Sequence, residues 1–253
     1  MRGGGIIDQE PHLDRLERSL KELQIAMPMT RRALGHVLRE VVRRNRVDDG
    51  LVYLQITRGV ARRDHPFPAG AVPSVVATAR GTEHRKGEAM AARGIKVISQ
   101  PDIRWERCDI KSVSLLPNVL AKQKARASGA YEAWLVDNDG FVTEGSSTNA
   151  WIVDTDGNLV TRNVENAILN GITRVAVLEL ARQRQIRVIE RPFKLSEAKS
   201  AREAFITSTT SYVMPVVEID GAKIGDGTPG PLARQLRELY AGHMAGQSAN
   251  GAG

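Results

Sequence analysis

Between Cys108 and Val153 the chain reads CDIKSVSLLPNVLAKQKARASGAYEAWLVDNDGFVTEGSSTNAWIV, and two of its side chains have types that do chemistry together. Lys111 stands just before a stretch with helical spacing, and Glu144, thirty-three positions on, closes a strand-like one. An amine and a carboxylate so placed can hold opposite sides of a flat ring. Further along, ILNGITR sets a glycine before the first turn of a helix. The amides of Ile172 and Thr173, with the Thr173 hydroxyl, can then face an anion with the helix dipole behind them, although capping alone also accounts for Gly and Thr there. The TSTTS run offers Ser208 and Thr209 as further donors or simply as a polar strand end, and TRGVARRDHPFP puts Arg63 two residues from His65 on a loop.

The elements that must position these residues follow from hydrophobic periodicity. Leu13, Leu16, Leu20 and Leu23 recur at three and four, with Pro11 near the start, which predicts a helix over 9–25 with one buried face. A second helix is predicted over 30–46, with Leu34, Val37, Leu38, Val41 and Val42 inward. An Asp-Gly turn leads into a strand over 51–58, and VPSVVATA reads as the next. The polar stretch RGTEHRKGEAMAARG reads as a boundary, giving a small N-terminal domain over 1–85, a linker over 86–94 and a larger domain over 95–245. In the larger domain strands are expected over 95–99, 131–136, 148–153 and 158–161. A helix is expected over 115–128, with Pro117 in its first turn and Leu116, Val119 and Leu120 as its apolar face. Then come a helix from NGITR to Arg184, the strand IRVIE, the short helix SEAKSA, the strand AFITSTT, a strand pair around DGAKIGDG, and a terminal helix from Pro231 to about Met244. The small polar tail over 246–253 is expected to be disordered.

At 253 residues and 42% hydrophobic, the chain has material for one large or two modest cores. No window approaches the roughly 20 apolar residues of a membrane span, and MRGGGIIDQE lacks a secretory signal pattern. One cysteine, Cys108, leaves no internal disulfide, fits a reducing cytoplasm, and reads as a small buried hydrophobe rather than a nucleophile. The net charge of +7 raises the question of a polyanion. Its densest run, Arg31, Arg32, Arg39, Arg43, Arg44 and Arg46, falls on the polar side of the second helix without a helix-turn-helix, zinc or aromatic-platform motif, so a solvated face is expected and no nucleic acid.

DIKSVSLLPNVLAKQ followed by VTEGSSTN closely resembles the D-amino-acid aminotransferase branch of the fold-type IV pyridoxal-phosphate enzymes. That family also holds branched-chain aminotransferases and aminodeoxychorismate lyase, and the resemblance runs from about residue 7 to about residue 240. It implies an α/β (α+β) enzyme: a small N-terminal α+β domain, a larger C-terminal β-barrel-like domain with flanking helices, pyridoxal 5′-phosphate as cofactor, and a cytoplasmic homodimer. Such a cofactor needs an amine, a base, a partner for the ring nitrogen and an anion site. By resemblance Lys111 is the Schiff-base lysine and then the base that shuttles the α-proton, while Lys122, eleven residues on, reads as a surface lysine. Glu144 pairs with the pyridinium nitrogen, and Thr148 is a small hydroxyl near a cofactor oxygen. Leu169, Ile172, Thr173, Ser208 and Thr209 complete the cofactor site, with Arg15 in HLDRL as the phosphate arginine. Arg63 and His65 match the pair that grips the substrate α-carboxylate from the neighbouring subunit, with Tyr53 lining the same side. The substrates implied are a D-amino acid such as D-alanine and a 2-oxo acid such as 2-oxoglutarate. Branched-chain L-amino-acid transfer, aminodeoxychorismate lysis, or an inactive relative acting as a basic binding module are the alternatives. Upstream of the point where MRGGGIIDQE begins, the family carries a strand pair with a Gly-Asp-Gly turn and an active-site tyrosine. The small domain is therefore expected to lack its first strands.

Overall fold

The computed structural model describes residues 1–250, apart from the side chains at 84–85 and 249–250, and divides the chain into two compact units. One comprises Met1–Glu83 together with the chain from His243, the other His84–Gly242.

In the first unit, α1 (Gln9–Glu22) buries Leu13 and Leu20, and α2 (Arg31–Asn45) buries Leu34, Leu38 and Val42, a residue every fourth position that forms one stripe. The Thr30 hydroxyl accepts the Ala33 amide at 3.3 Å and starts α2; Arg46 in the left-handed region, φ 51°, stops it. Three of the arginines of its polar side, Arg31, Arg43 and Arg44, are ion-paired. Arg31 reaches Asp14 and Glu10 at 2.7 and 2.9 Å, and Arg43 and Arg44 both take Glu40, whose carboxyl they hold down to about 2. Strands β1 (Gly50–Thr57) and β2 (Ser74–Gly81) pair antiparallel over their whole length. Gly50 is required there, because a Cβ would strike the Arg80 carbonyl. The loop joining these strands is held at its root by Arg58, which donates to the Leu23 and Gln24 carbonyls at 2.5 and 2.9 Å and stacks on Phe67.

The residues expected as a linker form α3 (His84–Arg93) instead. Lys86, Glu88 and three alanines outweigh Gly87 in helix propensity, and Met90 and Ala91 pack on the core of the second unit. That core is a curled sheet of β3 (Ile95–Pro101), β4 (Glu132–Val136), β5 (Val142–Gly145), β6 (Asn149–Val153), β7 (Leu159–Thr161), β8 (Val188–Glu190), β9 (Glu203–Ser208), β10 (Tyr212–Ile219) and β11 (Ala222–Lys223). Its order is β5-β4-β3-β10-β9-β6-β7-β8, with β11 beside β10; β3 runs parallel to β4 and β10, and β7 to β8. Every residue of β6 is buried, so this strand reads as a continuous apolar run rather than an alternation. The sheet closes towards a barrel where the Val142 amide of edge strand β5 donates to the Phe193 carbonyl, beyond β8, at 3.0 Å. Trp134 and Phe193 meet edge to face at 6.2 Å inside that closure.

The remaining helices are α4 (Leu116–Ala127), α5 (Ile172–Gln183), α6 (Leu195–Lys199) and α7 (Pro231–Asn250). Helix α4 lies on the sheet through Ala121 and Ala125, against Ala133 and Leu135, while Leu116, Val119 and Leu120 face outward. This reverses the expected face: small side chains let the helix approach β4 closely, and periodicity cannot say which of two apolar sides is covered. Helix α7 also runs further than expected. Residues 246–250, expected as disordered tail, are helical: Gln247 accepts the Asp8 amide at 2.7 Å and Ser248 donates to the Arg2 carbonyl at 2.8 Å. Residues 251–253 lie outside the described residues.

The start of α7 is capped from a distance, since the Glu203 carboxylate accepts the Leu232 and Ala233 amides at 3.0 and 2.9 Å. Glu203→Ala should therefore lower stability by about 1 kcal/mol, read as a drop in the thermal unfolding midpoint.

Candidate active site

Glu144 is the third residue of β5, a strand buried throughout, so its carboxylate has left water and must be satisfied by protein. Arg104 donates to one oxygen at 2.5 Å; Asn149 and the Leu169 amide donate to the other at 3.0 and 3.2 Å. Arg104 is itself buried. It grips Asp102 through two N–H···O bonds of 2.9 and 2.7 Å and donates to the Ala167 carbonyl at 2.9 Å, while the Thr143 hydroxyl donates to Asp102 at 2.6 Å. One guanidinium thus faces two carboxylates, and one negative charge is left without a cation. Burial pushes the Glu144 carboxyl up to about 7 against the pull of Arg104. For Asp102 the same burial is outweighed by Arg104 and Thr143, and its carboxyl sits below the ordinary range.

Lys111 is exposed on the segment between β3 and α4. That segment is tied to β5 and the turn after it on both sides of the lysine, by Arg104 on Glu144 before it and by Asn118, whose amide donates to the Ser146 carbonyl at 2.8 Å, after it. Cys108, three residues before Lys111, lies in the field of Arg104, Asp102 and Glu144, and burial pushes its thiol up to about 11, which leaves it a poor nucleophile. The lysine loop and the buried acid are therefore neighbours.

The start of α5, expected to face an anion, lies on the same side. Gly171 precedes Ile172 as the N-cap of α5 and makes no side-chain cap bond, and Ile172 and Thr173 are buried. A Cβ on Gly171 would strike the Asn149 side-chain oxygen, so the glycine lets the start of α5 lie against the residue that also bonds Glu144 and, at 2.8 Å, the Leu169 carbonyl. The register Asn149↔Thr207 carries Thr148 and Ser208 to the same end of the sheet. Ser208 is engaged in the β9–β10 turn, 2.6 Å from the Ser211 hydroxyl, and Thr209 is exposed.

Pyridoxal 5′-phosphate fits these residues. The Thr148 hydroxyl is buried with no hydrogen-bond partner among the described residues, the first turn of α5 has no side-chain cap, and the excess negative charge at Glu144 suits a cationic ring nitrogen. Among the described residues no cluster of His, Cys, Asp or Glu suits a metal.

The remaining expected residues belong to the first unit. Arg15 is partly buried on α1, 3.5 Å from His12, and burial lowers its guanidinium to about 10. Tyr53 on β1 donates to Gln55 at 2.6 Å, and Arg63 and His65 are exposed on the β1–β2 loop. Lys122 departs from its expected reading as a surface lysine: its ammonium is 3.2 Å from the buried Glu132 and lies over the Tyr131 ring. The motif reading passed over Arg104, Asp102, Asn149 and Glu132. Asn149 closes VTEGSSTN and was open to detection there; Arg104, forty residues from Glu144, had no sequence signal.

A barrel-like sheet with a buried acid, a lysine loop and an uncapped helix start converging at one end defines a pyridoxal-phosphate-dependent aminotransferase. Residues 1–219 match the model of the amino-transferase class IV family, and the chain belongs to that family. It is 40% identical to a D-alanine aminotransferase of Bacillus licheniformis over 97% of this chain and 86% of that protein, and 38% identical to one of Staphylococcus haemolyticus over the same shares. Among solved structures, a branched-chain aminotransferase of the archaeon Thermoproteus uzoniensis with norvaline superposes with a TM-score of 0.84 at 27% identity, covering 96% of this chain and 81% of that one.

An acid whose pKa is higher in the folded than in the unfolded protein stabilises the fold fully below its ordinary value, and that contribution is lost as pH rises through the folded value. Between pH 4.5 and about 7 the cofactor-free protein should accordingly lose thermal stability relative to Glu144→Gln, measured as the difference between their unfolding midpoints across that range.

Proposed function

We propose that this enzyme transfers the amino group of a D-amino acid such as D-alanine to a 2-oxo acid such as 2-oxoglutarate, with Lys111 and Glu144 as its working pair. The observation that carries the reading is the buried Glu144, one negative charge in excess of its single cation, beside a loop that presents a lysine. The relatives aligned over nearly the whole chain are D-alanine aminotransferases.

Bound pyridoxal phosphate supplies the electron sink. Glu144 would hold a proton on the ring nitrogen, with Arg104 opposing the burial that disfavours its ionised form. The Lys111 Nζ carries the proton taken from the substrate Cα. The amides of Ile172 and Thr173 hold the phosphate with the α5 dipole behind them, assisted by Ser208, Thr209 and Arg15. Thr148 and Leu169 flank the ring. Arg63 and His65 take the substrate α-carboxylate beside Tyr53, a bidentate guanidinium contact that fixes which face of Cα meets Lys111.

Incubation with D-alanine and 2-oxoglutarate should yield pyruvate and glutamate, whereas L-leucine with 2-oxoglutarate should yield little product. The reverse preference would select branched-chain transfer, the activity named for the Thermoproteus uzoniensis neighbour. Lys111→Ala should abolish turnover with the circular dichroism unchanged, and borohydride should fix the cofactor on Lys111 in the parent protein.

The working form proposed is a homodimer, with Arg63 and His65 reaching the neighbouring subunit's site. Leu116, Val119 and Leu120 on α4, with Ile103, Trp105, Val113 and Leu115 on the segment before it, are all exposed, an apolar set too large for a free surface. Leu116→Asp combined with Leu120→Asp should convert the dimer to monomer on size-exclusion chromatography with light scattering. The location proposed is the reducing cytoplasm, which a chain with one cysteine suits.

A further inference from the structure

Glu132 opens β4 and is wholly buried. Its carboxylate accepts four donors: the Ser146 hydroxyl, the Ser147 hydroxyl at 2.9 Å, the Ala133 amide at 2.9 Å, and the Lys122 ammonium at 3.2 Å. The two serines are the turn between Glu144 and Thr148, so this carboxylate pins the turn from which both project. Lys122 sits on α4 one helical turn after Asn118, hence on the same face, and Asn118 holds the carbonyl of the same Ser146 at 2.8 Å. Helix α4 begins five residues after Lys111.

We infer that Lys122 is a positioning residue: through Glu132 it locks the downstream end of the Lys111 loop onto the turn that carries Glu144 and Thr148, and so sets the spacing between the amine and the acid. Arg104 on Glu144 in β5 clamps the upstream end and Lys122 on Glu132 in β4 the downstream end, so each stem of the loop is held by an ion pair to the paired strands β4 and β5. Losing the cation leaves Glu132 buried as an acid without its counter-charge. Such a group protonates or turns towards water, and either response releases the serine hydroxyls it orders. Asn118 would then be left as the polar tie between the downstream stem and the turn, beside the packing of Ala121 and Ala125 on β4. A surface lysine would have no such leverage; a lysine two-thirds buried and stacked on Tyr131 does. The inference rests on the reading of Lys111 as the cofactor lysine.

The test compares the parent protein with Lys122→Met, Lys122→Arg and the double variant Lys122→Met/Glu132→Gln. Three quantities are measured: the dissociation constant of pyridoxal phosphate by fluorescence titration, the pH midpoint of the visible absorbance of the loaded protein, and the thermal midpoint. Lys122→Met should weaken cofactor binding by about tenfold or more and move the pH midpoint, as expected when a reacting group is displaced by a fraction of an ångström, and Lys122→Arg should restore both. Affinity and pH midpoint unchanged in Lys122→Met, whatever its thermal midpoint, would overturn the inference. If Lys122→Met does not fold, the double variant, which leaves no buried charge unpaired, takes the same measurements: a shift supports positioning and no shift overturns it. A parent protein in which borohydride fixes no cofactor on Lys111 would instead remove the underlying reading of the site.

Discussion

The arrangement turns on a charge imbalance sealed away from water. Asp102 and Glu144 share Arg104, and among the described residues neither acid is bonded to another cation. Asp102, gripped by two guanidinium nitrogens and a threonine hydroxyl, takes most of the benefit and stays well ionised. Glu144, held at one point by Arg104 and otherwise by neutral donors, carries the cost as a raised pKa. In the proposed site a protonated pyridine nitrogen would remove that cost. The same imbalance that disfavours the lone acid would favour a cationic group beside it.

Around this pair the barrel serves as a rigid frame. Glu144 lies near the end of one edge strand, Thr148 and Asn149 open the next, Ser208 ends β9, and α5 begins at Gly171; all meet at one end of the sheet. Asn149 joins two of these parts, donating from one nitrogen to both Glu144 and the Leu169 carbonyl, so the buried acid and the segment leading into α5 share a single amide. Arg174, buried in the first turn of α5, donates to the Arg162 carbonyl and to Glu190 at 2.8 Å each and fixes that helix start from behind. Sites built on strand ends and helix starts in this way lose little geometry to loop motion.

The basic balance of the chain is mostly local. On α2 the arginines are matched by Glu10, Asp14 and Glu40, which blunts the positive face that composition alone would advertise. Elsewhere guanidiniums serve as structural forks, with Arg237 on Glu88 and two carbonyls and Arg191 on Glu197. Net charge describes how a protein meets polyanions at a distance, and the +7 is the surplus that remains beyond such pairs.

Most elements were legible from sequence because their cause is local. Leu13 and Leu20, or Leu34, Leu38 and Val42, announce a helix by spacing, and the Asp-Gly turns mark hairpins by backbone preference. Lys111, Glu144 and the NGIT helix start stood out because their chemistry travels with short, contiguous motifs. Three things were not legible. Helix α3 hides in a polar stretch whose apolar partners, Met90 and Ala91, are recognisable only once the core they touch exists. The covered face of α4 is chosen by Ala121 and Ala125 against β4, a decision about close approach that spacing cannot encode. Arg104 and Lys122 acquire their roles from Glu144, forty residues away, and from Glu132, ten away across a helix and a strand. A sequence specifies which groups are present and what local structure they favour, whereas the pairing of buried charges is settled only when the chain has folded enough to exclude water from both partners at once.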